Sequence, residues 1–219
     1  MLNIQKYIIF ILTVFFAIQA FAESPEVRTE VREENGNKIN YMFIDGVKVH
    51  ETDPSKVTFP PVVEPKAYDA QGGKPPIGAI VLFDGTESSM ANWTAMNGSP
   101  TKWKFEDGEL VAVSRAGNIR SKQEFGSCRL YLEFATPVSS KGTGQASGNS
   151  GVFLMGNYEV QVLNSFGANA NSTYPDGQCG ALYGRAIPLV NASRAPGEWQ
   201  TFDITFTRPL FDEQGKVTR

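Results

Sequence analysis

From Ala79 to the end of the chain, apolar residues recur in short runs, most of them at every second position, and the runs break at Gly or Asp-Gly. AIVLF (79–83) meets Asp84-Gly85, TKWKFE (101–106) meets Asp107-Gly108, and ELVAV starts directly after that turn. CRLYLEFA (128–135), GVFLM (151–155), YEVQVLN (158–164), CGALYG (179–184) and EWQTFDITFTR (198–208) follow. A period of two belongs to a strand with one buried face, whereas an amphipathic helix needs apolar positions every three to four residues; no window from 79 to 219 supplies those. Strands of this length between such turns predict an all-β antiparallel sandwich or barrel. The alternation also predicts faces. Tyr158, Val160 and Val162 oppose Glu159, Gln161 and Leu163; Leu130, Leu132 and Phe134 oppose Arg129, Tyr131 and Glu133; Phe202, Ile204 and Phe206 oppose Thr201, Asp203, Thr205 and Thr207. Each strand is expected to turn a largely polar side to solvent, a surface suited to sugars.

The chain ahead of Ala79 is different. MLNIQKYIIFILTVFFAIQAFAES has one Lys, an apolar run from Tyr7 to Ile18, and Ala20-Phe21-Ala22 before Glu23. That is the pattern of a secretory leader cleaved after Ala22, and Gln19 interrupts the run before the roughly 20 residues that a membrane span needs. Residues 1–22 are therefore expected to be a signal peptide. The mature protein is expected to be periplasmic or extracellular, with no membrane span. Residues 23–78 are polar and Pro-rich. KINYMFIDGVKV reads as a small hairpin about Asp45-Gly46, and DPSKVTFPPVVEPK as an extended arm in which Pro54, Pro60, Pro61 and Pro65 fix φ and remove donors. The formal charge of −3 and the lack of a basic stripe leave nucleic-acid binding without an electrostatic basis. One His (His50) and two Cys (Cys128, Cys179) exclude zinc sites built from Cys and His clusters. In an oxidising compartment a Cys128–Cys179 bridge would add about 4 kcal/mol; the sequence leaves bridge and free thiols both open.

The segment KGTGQASGNSG (141–151) lacks the Gly-Lys-Ser/Thr ending of a phosphate loop and leads into a strand, so it reads as a tight loop at the rim of the sheet. Its last polar residues, Asn149 and Ser150, could bond a ligand on the polar face. Glu159 and Gln161, two apart on one strand, could serve as a base and as a holder of a substrate oxygen, or simply form a solvated face. Glu133 could complete a carboxylate pair whose separation would distinguish retaining from inverting glycoside chemistry. Trp93, Trp103 and Trp199 could stack on sugar rings or pack in the core. No cofactor motif is present. Acidic and amide residues could hold Ca²⁺, but no loop has a full ligand spacing, and no metal ligand is assigned.

LFDGT (82–86), KWKFEDG (102–108), NIRSKQEFG (118–126), GNSGVFLMGNYEVQVLNS (148–165), DGQCGALYG (176–184) and NASRAPGEWQTFDITFTRP (191–209) resemble, in this order, the 3-keto-disaccharide hydrolase domain family. That resemblance implies a concanavalin A-like β-sandwich (jelly roll) over residues 79–219 and cleavage of disaccharides or glucosides that carry a ketone at C3. It implies Glu159 and Gln161 as catalytic residues, Asn149, Ser150, Glu133 and Tyr183 as substrate-binding ones, and a small carbohydrate as the partner. Members usually have Asp at the position of Asn164 and a small residue such as Ala at that of Cys179. They also run on past the position of Arg219 with further strands and a His-containing motif, so the sandwich is expected to be incomplete in this chain. The same scaffold also carries non-catalytic, lectin-like glycan-binding modules of the cell envelope.

Overall fold

A computed structural model describes residues 7–13, 27–34, 37–44, 47–49, 60–65, 75–138, 143–167 and 173–218. His50, Pro54, the Asp45-Gly46 step, Lys141 and Gly142 lie outside them. The chain is all-β: β1 (Tyr7–Thr13), β2 (Val27–Glu34), β3 (Asn37–Ile44), β4 (Val47–Val49), β5 (Ile80–Val81), β6 (Trp93–Ala95), β7 (Lys104–Glu106), β8 (Glu109–Val111), β9 (Ile119–Ser121), β10 (Cys128–Ala135), β11 (Ser150–Leu154), β12 (Tyr158–Val162) and β13 (Gln200–Phe206). The helical turns among the described residues are short 3₁₀ segments at Glu87–Asn92, Gly144–Ala146 and Pro175–Gly177. The chain divides into two compact units. The first comprises Met1–Thr13, Asp69–Phe134 and Gln200–Arg219; the second comprises Val14–Tyr68 and Ala135–Trp199.

The first unit is built on a sheet of order β13-β10-β1-β8-β7, with β5 also paired to β1. β10 and β13 are antiparallel, with Leu130 facing Ile204 and Leu132 facing Phe202 on one side, and Tyr131 facing Asp203 and Glu133 facing Thr201 on the other. The alternation of both strands thus carries into the register. Phe134, fully buried, meets Phe202 with ring centroids 4.6 Å apart, and Phe83, Leu110 and Leu132 complete the centre. On the polar side Arg129 Nε donates to Asp203 Oδ1 (2.7 Å), which holds the Asp203 carboxyl below its usual range. Hairpin β7–β8 closes with Glu106 opposite Glu109. Asp107 and Gly108 both have left-handed φ (49° and 83°), the geometry of a type I′ turn, which is why Asp-Gly stands there. LFDGT proves architectural: Leu82 and Phe83 are buried, while Asp84 Oδ1 accepts the Thr86 amide (3.0 Å) and hydroxyl (2.6 Å), which holds the Asp84 carboxyl below its usual range.

β1 lies within the stretch expected to be the leader. It runs parallel to β5 (Ile8 facing Ile80) and to β8 (Thr13 facing Val111), and stands between β10 and β8 in the sheet order. YIIFILT is apolar and rich in β-favouring Ile, Phe, Tyr and Thr, so the residues that suit a leader's apolar run also suit a strand.

In the second unit, β2, β3 and β4 form an antiparallel sheet. Ile44 faces Val47 across the second step, and Glu34 faces Asn37 across the first. β2 is the strand that the apolar period does not reveal. The described part of the arm is extended and docked: Val62 bridges Asn191 in parallel, with Val63 N–H donating to Asn191 O (3.0 Å) and Asn191 N–H to Pro61 O (2.9 Å). Cys128 in the first unit and Cys179 in the second are free, buried thiols, and burial pushes both above the usual thiol range.

Candidate active site

β11 and β12 pair with Gly151 opposite Gln161 and Phe153 opposite Glu159. Opposed residues share a face, so these four lie on one side, and Ser150, Val152, Val160 and Val162 lie on the other. On the far edge of β12 the segment 180–183 runs antiparallel. Val160 bridges Leu182, Gln161 N–H donates to Ala181 O (2.9 Å), and Tyr183 N–H donates to Glu159 O (3.0 Å). Tyr183 therefore stands beside Glu159 on the same face.

The structure thus brings Asn149, Glu159, Gln161 and Tyr183 together. Ser150, expected beside Asn149, is one residue out of phase: it faces Val162, and the strand's period of two turns its side chain to the other face. Glu133 belongs to the first unit, where it is buried and accepts a hydrogen bond from the Tyr131 hydroxyl (2.9 Å).

Gln161 is not on a solvated face; it is 1% exposed. A chain of side-chain amides anchors it, and two backbone carbonyls fix which end of each amide is nitrogen. Gln145 Nε2 donates to Gly177 O (2.9 Å) and to Thr173 Oγ1 (2.6 Å), so Gln145 Oε1 is an acceptor. Asn149 Nδ2 donates to Gln145 O (2.9 Å) and reaches Gln145 Oε1 (3.1 Å). Gln161 Nε2 must then be the atom that donates to Gln145 Oε1 (2.9 Å) and Asn149 Oδ1 (3.3 Å). With both donors directed at these acceptors, Gln161 has only Oε1 left, and that atom is buried without a hydrogen-bond partner. A buried acceptor left unmade costs about 1–3 kcal/mol. Gln161 is therefore an anchor of the amide chain rather than a group free to donate to a substrate oxygen.

Glu159 is half-buried, and among the described residues no group donates to its carboxylate. Desolvation raises its pKa above the usual glutamate range. Its place depends on Gly151. A methyl group at 151 would lie 2.0 Å from Glu159 Oε1 and 2.7 Å from Cδ, so the carboxyl occupies space that only glycine leaves open. Tyr183 and Tyr174 share a hydrogen bond between their hydroxyls, with rings 5.9 Å apart and edge-on at 66°. Gly177 allows this too: a methyl there would stand 2.3 Å from the Tyr174 ring and 2.6 Å from Gln145 Nε2.

Gln145, Tyr174, Gly151 and Gly177 belong to the cluster although neither strand alternation nor resemblance singles them out. Gln145 lies in a 3₁₀ turn inside the Gly-rich loop, where no period applies. The closely spaced glycines were its visible sign. Asn164, where the family usually has Asp, donates Nδ2 to Ser147 Oγ (3.1 Å) and accepts from Phe166 N–H (3.3 Å); it shapes a turn. Among the described residues no three of His, Cys, Asp and Glu stand together as metal ligands. The face therefore joins a desolvated carboxylate and a hydroxyl pair, which equips it to remove a proton from a hydroxylated substrate.

The family model of the 3-keto-alpha-glucoside-1,2-lyase-like domain matches residues 78–212. Among solved structures, one named a "putative glycosyl hydrolase" from Parabacteroides distasonis is similar, with a TM-score of 0.62 and 39% sequence identity, over 77% of this chain and 71% of that one. None of the curated proteins matches the chain.

Proposed function

The chain belongs to the 3-keto-alpha-glucoside-1,2-lyase-like domain family, and on that premise we propose that it is an exported enzyme that cleaves 3-keto-disaccharides or 3-keto-glucosides. Family and structural neighbour support a carbohydrate-active, hydrolase-like role. The observation that carries the finer reading is Glu159, a carboxylate with no donor among the described residues, raised in basicity by burial and set beside Tyr183.

A ketone at C3 acidifies the proton on C2. Glu159 removes that proton, and the electron pair moves onto the C3 oxygen as an enolate. The enolate collapses to a C1–C2 double bond and expels the C1 substituent, whose oxygen takes a proton from Tyr183. The Tyr183 phenolate takes a proton from water as its hydroxide adds to C1, Glu159 exchanges its proton with solvent and returns one to C2, and the net change is hydrolysis of the glycosidic bond. Gln161 holds Gln145 and Asn149 in place through its amide donors.

A product assay on 3-keto-α-glucosides beside their unoxidised parents tests this reading. Cleavage of the keto sugars alone is expected. Binding of both without product would leave a lectin-like module instead. The acid side of the kcat/KM profile reports the protonation of Glu159. Because burial raises that pKa, activity is expected to fall with decreasing pH at a value above that of an ordinary glutamate.

Export through the leader at 1–22 is part of the same proposal. N-terminal sequencing of protein recovered outside the cytoplasm should begin at Glu23; an intact Met1 would contradict it. Cleavage there would take β1 out from between β10 and β8.

A further inference from the structure

The first unit holds a groove of about 430 Å³ lined by Met90, Trp93, Thr94, Trp103 and Phe105, with Lys122 at its edge. None of these side chains belongs to the Glu159 cluster. Both indoles are held by their N–H groups: Trp93 Nε1 donates to Leu82 O (3.1 Å) and Trp103 Nε1 to Gly117 O (2.9 Å). A tryptophan whose only donor is directed at a backbone carbonyl has no polar group left for a ligand; what it offers is its ring, already oriented. The two are half-buried, and both line the groove. Trp93 opens β6 and pairs with Ser121, and Trp103 directly precedes β7, its amide donating to Thr101 Oγ1 (2.9 Å).

We propose that this groove is a second carbohydrate site, a non-catalytic subsite that takes one neutral pyranose unit of a glycan. The volume lies within the range of small-molecule pockets and is too small for a folded partner. The lining combines apolar surface (Met90, the two Trp rings, Phe105) with polar groups at the edge, which matches a pyranose: a C–H face on one side and hydroxyls around its perimeter. The edge carries one charge of each sign, Glu87 and Lys122, both exposed, so neither an anion nor a cation is favoured over a neutral polyol. The assignment of sugar as ligand class rests on the carbohydrate-active reading above.

Unoxidised sugars test it separately from catalysis, because the proposed reaction does not consume them. Methyl α-glucoside, maltose and cellobiose are titrated into the full-length protein and followed by tryptophan fluorescence and saturation-transfer NMR. Saturable quenching with transfer to ring C–H protons of at least one sugar is expected. Trp103→Ala should weaken that binding about tenfold or more. Ala91→Trp, placed at an exposed lining position, should block the groove without removing a core side chain. Glu159→Gln should leave this binding unchanged. Turnover of a 3-keto monoglucoside should be unaltered by Ala91→Trp. No binding by the wild type, or equal binding by the wild type and a folded Ala91→Trp variant, would overturn the proposal. Failure of 3-keto turnover alongside Trp103-dependent binding would overturn the catalytic reading and leave the groove assignment standing.

Discussion

Glu159→Gln is expected to lower kcat on a 3-keto-α-glucoside by about two to four orders of magnitude, the range for loss of a positioned general base. KM should change little, since the neutral amide fills the same space and Gln161, Asn149 and Tyr183 remain. The acid limb of the pH profile should vanish with the carboxyl that causes it. Stability gives an independent control. Burial raises the Glu159 pKa in the folded state, so the wild type loses stability as pH rises from the ordinary glutamate value through the raised one, and it stays lower above that window. The variant has no such charge to desolvate. At neutral pH it should therefore be at least as stable as the wild type in a urea titration, which excludes misfolding as the cause of lost activity. A variant with wild-type kcat would remove Glu159 from the chemistry.

Gly151→Ala should cost nearly as much without touching a titratable group. The added methyl would lie 2.0 Å from Glu159 Oε1, far inside contact distance, and the displaced atoms belong to the carboxyl at the end of a flexible side chain. The strand accommodates alanine and the carboxyl moves instead. A displacement of about 1 Å of a reacting group costs on the order of 100-fold, so kcat should fall by about that factor while the folded β11–β12 hairpin persists. Gly156, two residues beyond β11, has open space where its methyl would go, although its left-handed φ of 65° makes Gly156→Ala a conformational cost rather than a site one. Gly156→Ala should thus lower stability with kcat retained, which separates the two kinds of glycine.

The period of two made β10, β12 and β13 legible from the sequence, because apolar residues alternate along each, but it did not show that Glu133 and Gln161 on their polar sides are buried. β2 was not legible. VRTEVREE is charged on both faces, so no apolar alternation marks it, and the available sign was the Asn35-Gly36 step that follows. Tyr7–Thr13 shows the opposite ambiguity, since an apolar, β-branched run satisfies a leader and a strand alike. In the site, the alternation of β12 placed Glu159 and Gln161 on one face but left a solvated face equally open, and the family resemblance singled them out. Asn149 and Ser150 looked equivalent until the register separated them by one step. Gln145 and Tyr174 come from loops, and a loop side chain is placed by hydrogen bonds to distant carbonyls, which no local pattern encodes.

The central claim is that cleavage begins with proton removal at C2 by Glu159. Proton NMR of turnover in deuterium oxide addresses it directly, with a 3-keto-α-glucoside as substrate and the enzyme-free 3-keto product as the control for spontaneous exchange. Elimination followed by hydration predicts that C2 of the released sugar carries solvent deuterium from the first turnovers, faster than the control and lost with Glu159→Gln. Because the Glu159 proton exchanges with solvent before it is returned, product that retains protium at C2 would contradict the account.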